Sequence, residues 1–99
     1  MSIDSRVVAG ILYIKVTGRF DFSLHNDFRE AIKLAEKDIR QIEIDFSKTD
    51  YLDSSALGML LVMRDKLVGD KNVVQIKNAR NEVKKILEIA NFDKLFILS

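Results

Sequence analysis

Three short β-branched runs, set apart by segments with helical periodicity, constrain this chain more than any other feature. ILYIKVT at 11–17 partly alternates apolar and polar side chains, QIEIDF at 41–46 alternates strictly, and NVVQIK at 72–77 is a third strand pattern. After the first run, Leu24, Phe28, Ala31, Ile32 and Ala35 recur at helical spacing, with Arg29, Glu30, Lys33 and Glu36 on the opposite side. Ser23 is placed to cap that helix. A second helix opens within YLDSSALGML at 51–60 and runs to about Val68, where Gly69-Asp70 closes it. Asn81 precedes a third, with Val83, Ile86, Leu87 and Ala90 on one face. Residues 3–8 can pair with 11–17 through a turn near Ala9-Gly10; Gly18 ends that strand, and 95–98 reads as a last short one.

The element order is therefore β-β-α-β-α-β-α-β. Strands separated by helices need crossovers, so the sheet is largely parallel, and the first hairpin adds an antiparallel edge. The expectation is one α/β domain over 1–99, with a mixed, mostly parallel sheet of about five strands and helices packed on it. A chain of 99 residues suits one domain, and 47% hydrophobic content fills one core.

The charges nearly cancel, at a formal +1, so bulk electrostatics draw the chain to neither nucleic acid nor an anionic membrane. With no cysteine there is no disulfide framework and no thiolate chemistry. The opening MSIDSRVVAG lacks the apolar core of a signal peptide. The longest apolar run, 56–63, is broken by Gly58 and is far too short to span a bilayer. The expected setting is cytoplasmic, without direct membrane insertion. The second helix carries Ala56, Leu57, Met59, Leu60, Leu61, Val62, Met63 and Leu67 around much of its circumference. Such a helix is either deeply buried or leaves an apolar strip for a partner, and its methionines are expected as core filler.

In a parallel sheet the loops after the strand C-termini form the functional edge. The polar stretch SKTDYLD reads as such a loop, gathering Asp45, Asp50, Asp53, Ser54 and Ser55 near that edge. GRFDFS at 18–23 brings Asp21 beside them if strands 11–17 and 41–46 are parallel neighbours. Asp53-Ser54-Ser55 has the composition of a helix cap. The one histidine, His25, is expected on the solvated surface, and no G-x-S-x-G elbow supplies a nucleophile. Asp21, Asp45 and Asp53 carry the hard oxygens a cation takes, but their spacing matches no ligand loop, and no phosphate-cradling glycine motif occurs. Neither a catalytic residue nor a cofactor nor a metal is expected. Lys33, Lys37, Arg40, Lys77, Arg80, Lys84 and Lys85 are scattered, with no aromatic platform, and read as solvated helix faces rather than a nucleic-acid surface.

Regulated modification fits the same residues. A helix N-terminus favours an anion by ~0.3–1 kcal/mol at an exposed site. A phosphate adds about −1.5 to −2 charge at pH 7. Beside Asp21 and Asp53 it would repel an acidic or apolar partner.

IDFSKTDYLDSSALGMLL at 44–61 resembles the signature of the STAS domain (sulfate transporter and anti-sigma factor antagonist), through Asp45 and Ser47 and then Asp53, Ser54, Ser55, Leu57 and Gly58. VTGRFD at 16–21 is similar to the family's turn after an early strand, through Thr17, Gly18 and Asp21. The resemblance is closest to stand-alone anti-sigma factor antagonists. It implies a non-enzymatic switch that binds an anti-sigma factor/serine kinase when dephosphorylated and is released by phosphorylation at Ser54. A serine phosphatase would reset it. Asp21, Asp53, Ser54, Ser55 and Leu57 would form the contact face. Ala56 stands where the family usually has glycine, which implies an intact helix and somewhat altered kinase recognition. The alternative within the family is a non-switching subunit of a lipid or anion transport complex, docking through the second helix.

Overall fold

A computed structural model describes residues 2–33, 39–67 and 74–99. The elements are β1 (Ser2–Val8), β2 (Ile11–Phe20), a 3-10 turn (Phe22–Leu24), α1 (His25–Lys33), β3 (Gln41–Leu52), α2 (Ser54–Leu67), β4 (Val74–Lys77), α3 (Asn81–Ile89), a second 3-10 turn (Phe92–Lys94) and β5 (Ile97–Leu98). The strands lie in chain order, β1-β2-β3-β4-β5. β1 is antiparallel to β2 and the remaining neighbours are parallel. The expected mixed five-stranded α/β sheet is the one observed.

This strand order explains the layering. Each right-handed crossover steps one strand in the same direction, so successive helices arrive on the same face. Burial agrees. Leu12, Ile14, Val16, Ile42, Ile44, Phe46, Val74 and Ile76 are buried, while the alternating Tyr13, Lys15, Glu43, Asp45, Gln75 and Lys77 keep partial exposure. Phe20 packs in the core against Phe28 and Phe46, with ring centroids 5.2 and 6.1 Å away. No helix among the described residues is long and apolar enough to cross a membrane.

Several boundaries differ from expectation. β2 does not stop at Gly18 but continues to Phe20, because Gly18 takes φ +89° at a register shift instead of ending the pairing. The stretch SKTDYLD is not a loop; β3 continues through it to Leu52. Asp21, not Ser23, caps the turn into α1, accepting the Ser23 N–H at 3.0 Å. The last strand shrinks to Ile97–Leu98, because Phe92–Lys94 is helical and buries Phe92 against Phe96. Arg40 is not a solvated helix residue: its side chain donates to the Ala9 carbonyl at 3.1 Å and its backbone N–H to that of Gly10 at 2.8 Å, clamping the β1–β2 turn. Lys77 pairs with Glu43 at 3.0 Å across β3 and β4. The expectations for Ala35, Glu36, Lys37, Val68, Gly69-Asp70 and residues 72–73 lie outside the described residues.

Candidate functional site at the ends of β2 and β3

The site rests on one strand pair. β2 and β3 run parallel, and Phe20 lies opposite Leu52. Asp21 and Asp53 directly follow the last residue of each strand, so the two acidic positions leave the sheet together. The Asp53 N–H donates to the Phe20 carbonyl at 3.3 Å and ties the two exits. Phe20 and Leu52 are both buried, which anchors the exits to the core.

Two irregularities in β3 set this alignment. Between the Lys15↔Asp45 and Thr17↔Lys48 pairs β3 carries one residue more than β2, and it gains another between Gly18↔Thr49 and Arg19↔Tyr51. Such insertions bend a strand and re-aim its end. Thr49 is the buried polar residue here, and its hydroxyl donates to the Val16 carbonyl at 2.8 Å. Arg19 stacks over the Tyr51 ring at 4.6 Å on the outer side.

Asp53 caps α2. Its carboxylate accepts the Ala56 N–H at 2.9 Å, and the Leu57 N–H bonds the Asp53 carbonyl at 3.1 Å. Ser54 is the first helical residue and is exposed. The capping work is thus done by Asp53, and the Ser54 side chain faces solvent at the positive end of a 14-residue helix. Ser55 is half-buried, Ala56 is buried, and Leu57 is half-buried against the core. Asp21 accepts from the Ser23 hydroxyl at 2.6 Å and lies 3.6 Å from Arg19. The Ser23 hydroxyl, then its N–H, and the nearby Arg19 charge hold the Asp21 carboxyl below its ordinary range.

The expected acidic cluster divides. Asp45 lies within β3, eight positions before Asp53, which follows the strand's end, so the two stand about 20 Å or more apart along it. It sits between Lys15 of β2 and Lys77 of β4. Burial would raise its carboxyl, but the Ser47 backbone and hydroxyl, Asn78 and Lys15 outweigh that and lower it. Asp50 pairs with Arg80 at 3.0 Å, and the same guanidinium reaches the Ser47 carbonyl at 3.1 Å, so Arg80 braces the bulged part of β3 rather than standing free on a helix. No grouping of three or more potential metal ligands occurs among the described residues.

An apolar groove of about 380 Å³ opens between α1 and α2, with Ser55 in its lining. Phe22 and Val62 form its exposed apolar rim, at 67% and 53% exposure, and His25 stacks on Phe22 with centroids 5.3 Å apart. His25 is therefore half-buried against an aromatic ring, not a fully solvated residue. Ser55, Gly58 and Val62 line the groove from one stripe of α2, at i, i+3 and i+7. Met63 is wholly in the core, as expected of filler, and the nearly buried Met59 also lines the groove. The α2 reading thus resolves both ways: Ala56, Met59, Leu60 and Met63 bury one face, and the opposite side keeps an open strip at Val62. Val62 belongs to the apolar strip expected of the second helix, whereas Phe22 is an addition to the sequence candidates; an aromatic directly after Asp21 in a polar turn is its signal.

The family model described as Mlab, STAS domain matches residues 7–99. A STAS-domain containing protein of Pseudomonas aeruginosa (strain UCBPP-PA14), PA14_20770, is 46% identical over 88 residues, covering 89% of this chain and 87% of that one. The chain belongs to the STAS-domain family. Solved structures share the fold. An anti-sigma factor antagonist from Mycobacterium paratuberculosis superposes with a TM-score of 0.82 at 23% identity, covering 98% of this chain and 83% of that one. The Bacillus cell fate determinant SpoIIAA in its phosphorylated form gives 0.75 at 17% identity, covering 99% and 91%. A sulfate transporter family protein from Wolinella succinogenes gives 0.75 at 11% identity, covering 90% and 73%.

Proposed function

We propose that this chain is an anti-sigma factor antagonist in a partner-switching system and acts by binding rather than by catalysis. In its dephosphorylated form it binds an anti-sigma factor that is also a serine kinase. Phosphorylation at Ser54 releases it, and a serine phosphatase restores binding in the cytoplasm. The observation that carries the reading is the division of labour at α2: Asp53 satisfies the helix start, so the exposed Ser54 hydroxyl is free for chemistry without loss of the cap. Asp21, Asp53, Ser54, Ser55 and Leu57 make the contact face, extended by Phe22 and Val62 along the groove.

The switch follows from charge. A phosphate of about −1.5 to −2 joins two carboxylates that leave the sheet side by side. Helix N–H groups stabilise it within its own fold. An acidic or apolar partner surface that met two carboxylates and a hydroxyl then meets three negative groups. A loss of a few kcal/mol in the complex lowers affinity on the order of 100-fold.

Titration calorimetry of the cognate kinase against wild type, Ser54→Ala and Ser54→Asp tests this. Wild type and Ser54→Ala should bind alike, and Ser54→Asp should bind on the order of 100-fold more weakly. Equal binding of all three, with Ser54 left unmodified by the kinase and ATP, refutes the switch.

The second reading is a non-switching STAS subunit of a lipid or anion transport complex. It is favoured by the family description, which names Mlab, and by the fold shared with the sulfate transporter family protein. A native pull-down separates the two: transporter components support this reading, and a kinase or sigma regulator supports the first.

A further inference from the structure

β1 ends the sheet, and its outward backbone edge has no partner among the described residues. The hairpin joining it to β2 sets which groups point outward. Ala9 and Gly10 both have positive φ, at 51° and 80°, and form a two-residue turn closed by the Val8↔Ile11 pair. In such a turn the closing residues bond each other. Antiparallel alternation then directs the backbone groups of Ser2, Asp4, Arg6 and Val8 at β2 and those of Ile3, Ser5 and Val7 outward.

We infer that two copies of this chain pair through β1, antiparallel about Ser5, to form one continuous sheet. In that register Ser5 lies opposite Ser5 of the second copy, and Ile3 lies opposite its Val7. All of these residues direct their backbone groups across the seam, so each pair exchanges two hydrogen bonds. Asp4 lies opposite Arg6 of the second copy at a position without backbone bonds, where paired Cα atoms are only ~4.5 Å apart and side chains meet most closely. The two-fold axis produces this ion pair twice. Arg6 is held on that face by stacking over Tyr13 at 4.9 Å. On the helix-covered face the Ile3–Val7 pairs bury Val7, which is 45% exposed in the single chain.

The sequence also selects the register. A slip of two residues keeps the same faces but places Asp4 opposite Asp4 in one direction and Arg6 opposite Arg6 in the other. Like charges directly opposed are destabilising, so the pairing about Ser5 stands between two repulsive alternatives. The edge lacks three of the usual defences: β1 is seven residues long, contains no proline and pairs with β2 without a bulge. Its two charges, Asp4 and Arg6, are of opposite sign and complement a reversed copy of the same strand. The two-fold axis is perpendicular to the sheet, so both helix layers share one face and the two Ser54 ends point in opposite directions, each left open.

Sedimentation equilibrium of the full chain tests this. Wild type should show a concentration-dependent monomer–dimer equilibrium. Asp4→Arg and Arg6→Asp, each shown folded by circular dichroism, should weaken dimerisation about tenfold or more. Mixing the two variants should restore a dimer, because every charged pair across the seam is then again of opposite sign. The variant with both changes should dimerise as wild type does. A wild type that stays monomeric to about 1 mM, a dimer undiminished in both single variants, or a mixture that fails to associate overturns the inference.

Discussion

The Thr49 hydroxyl donates to the Val16 carbonyl at 2.8 Å, inside the core where β3 departs from regular pairing with β2. The bond supplies from a side chain what the shifted ladder does not supply from the backbone. It therefore belongs to the alignment that brings Asp21 and Asp53 together. Thr49→Val keeps the shape and leaves that carbonyl unsatisfied, so it should destabilise the domain by about 1–3 kcal/mol in urea unfolding. A cost near zero would assign the alignment to other contacts.

Asp53, not Ser54, caps α2. Asp53→Ala should cost about 0.5–2 kcal/mol. Ser54→Ala should stay within about 0.5 kcal/mol of wild type, since its side chain is exposed. Paired denaturant curves check both; the reverse order would make Ser54 a structural residue.

Asp21 should titrate below its ordinary 3.8, first because of the Ser23 hydroxyl and N–H. A depressed carboxyl contributes stability that is present above 3.8 and is lost as pH falls through the lower folded value. The turn at Phe22–Leu24 should hold at neutral pH and loosen only in stronger acid. Carboxyl-carbon NMR titration reads this directly, and Ser23→Ala should move the midpoint up toward 3.8.

The glycines of the turn and of α2 should respond in opposite directions. A Cβ on Gly58 meets nothing within 4 Å, so Gly58→Ala should stabilise by about 0.5–1 kcal/mol through helix propensity. A Cβ on Gly10 would stand 2.9 Å from Arg40 Nε, at φ +80°, so Gly10→Ala should destabilise by more than about 1 kcal/mol. Thermal melts of the two variants check the signs.

Much of the fold was legible because burial imposes period on the sequence. Ile42, Ile44 and Phe46 alternate inward, and Phe28, Ala31 and Ile32 recur on one face of α1, so strand and helix are read directly. The second half of β3 was not legible. Its bulges break the period-2 pattern, and Lys48, Asp50 and Tyr51 face solvent while Thr49, a polar residue, goes inside. Polar composition there imitates a loop. Read as a loop, the stretch brings Asp45 toward Asp53, because a loop folds back whereas a strand carries its ends apart. Asp21 and Asp53 were correctly brought together, since that required only that β2 and β3 be parallel neighbours. The rim residues Phe22 and Val62 depend on how α1 meets α2, which no local pattern encodes.

The switch stands on Ser54 being a modified hydroxyl and not a spare cap. Intact-mass analysis of the protein isolated from its native cells, with peptide mapping of 51–60, tests it most directly. A phosphate is expected on Ser54 in a fraction of molecules that varies with growth condition. An unmodified 51–60 peptide under every condition, or a phosphate confined to Ser55, would contradict it.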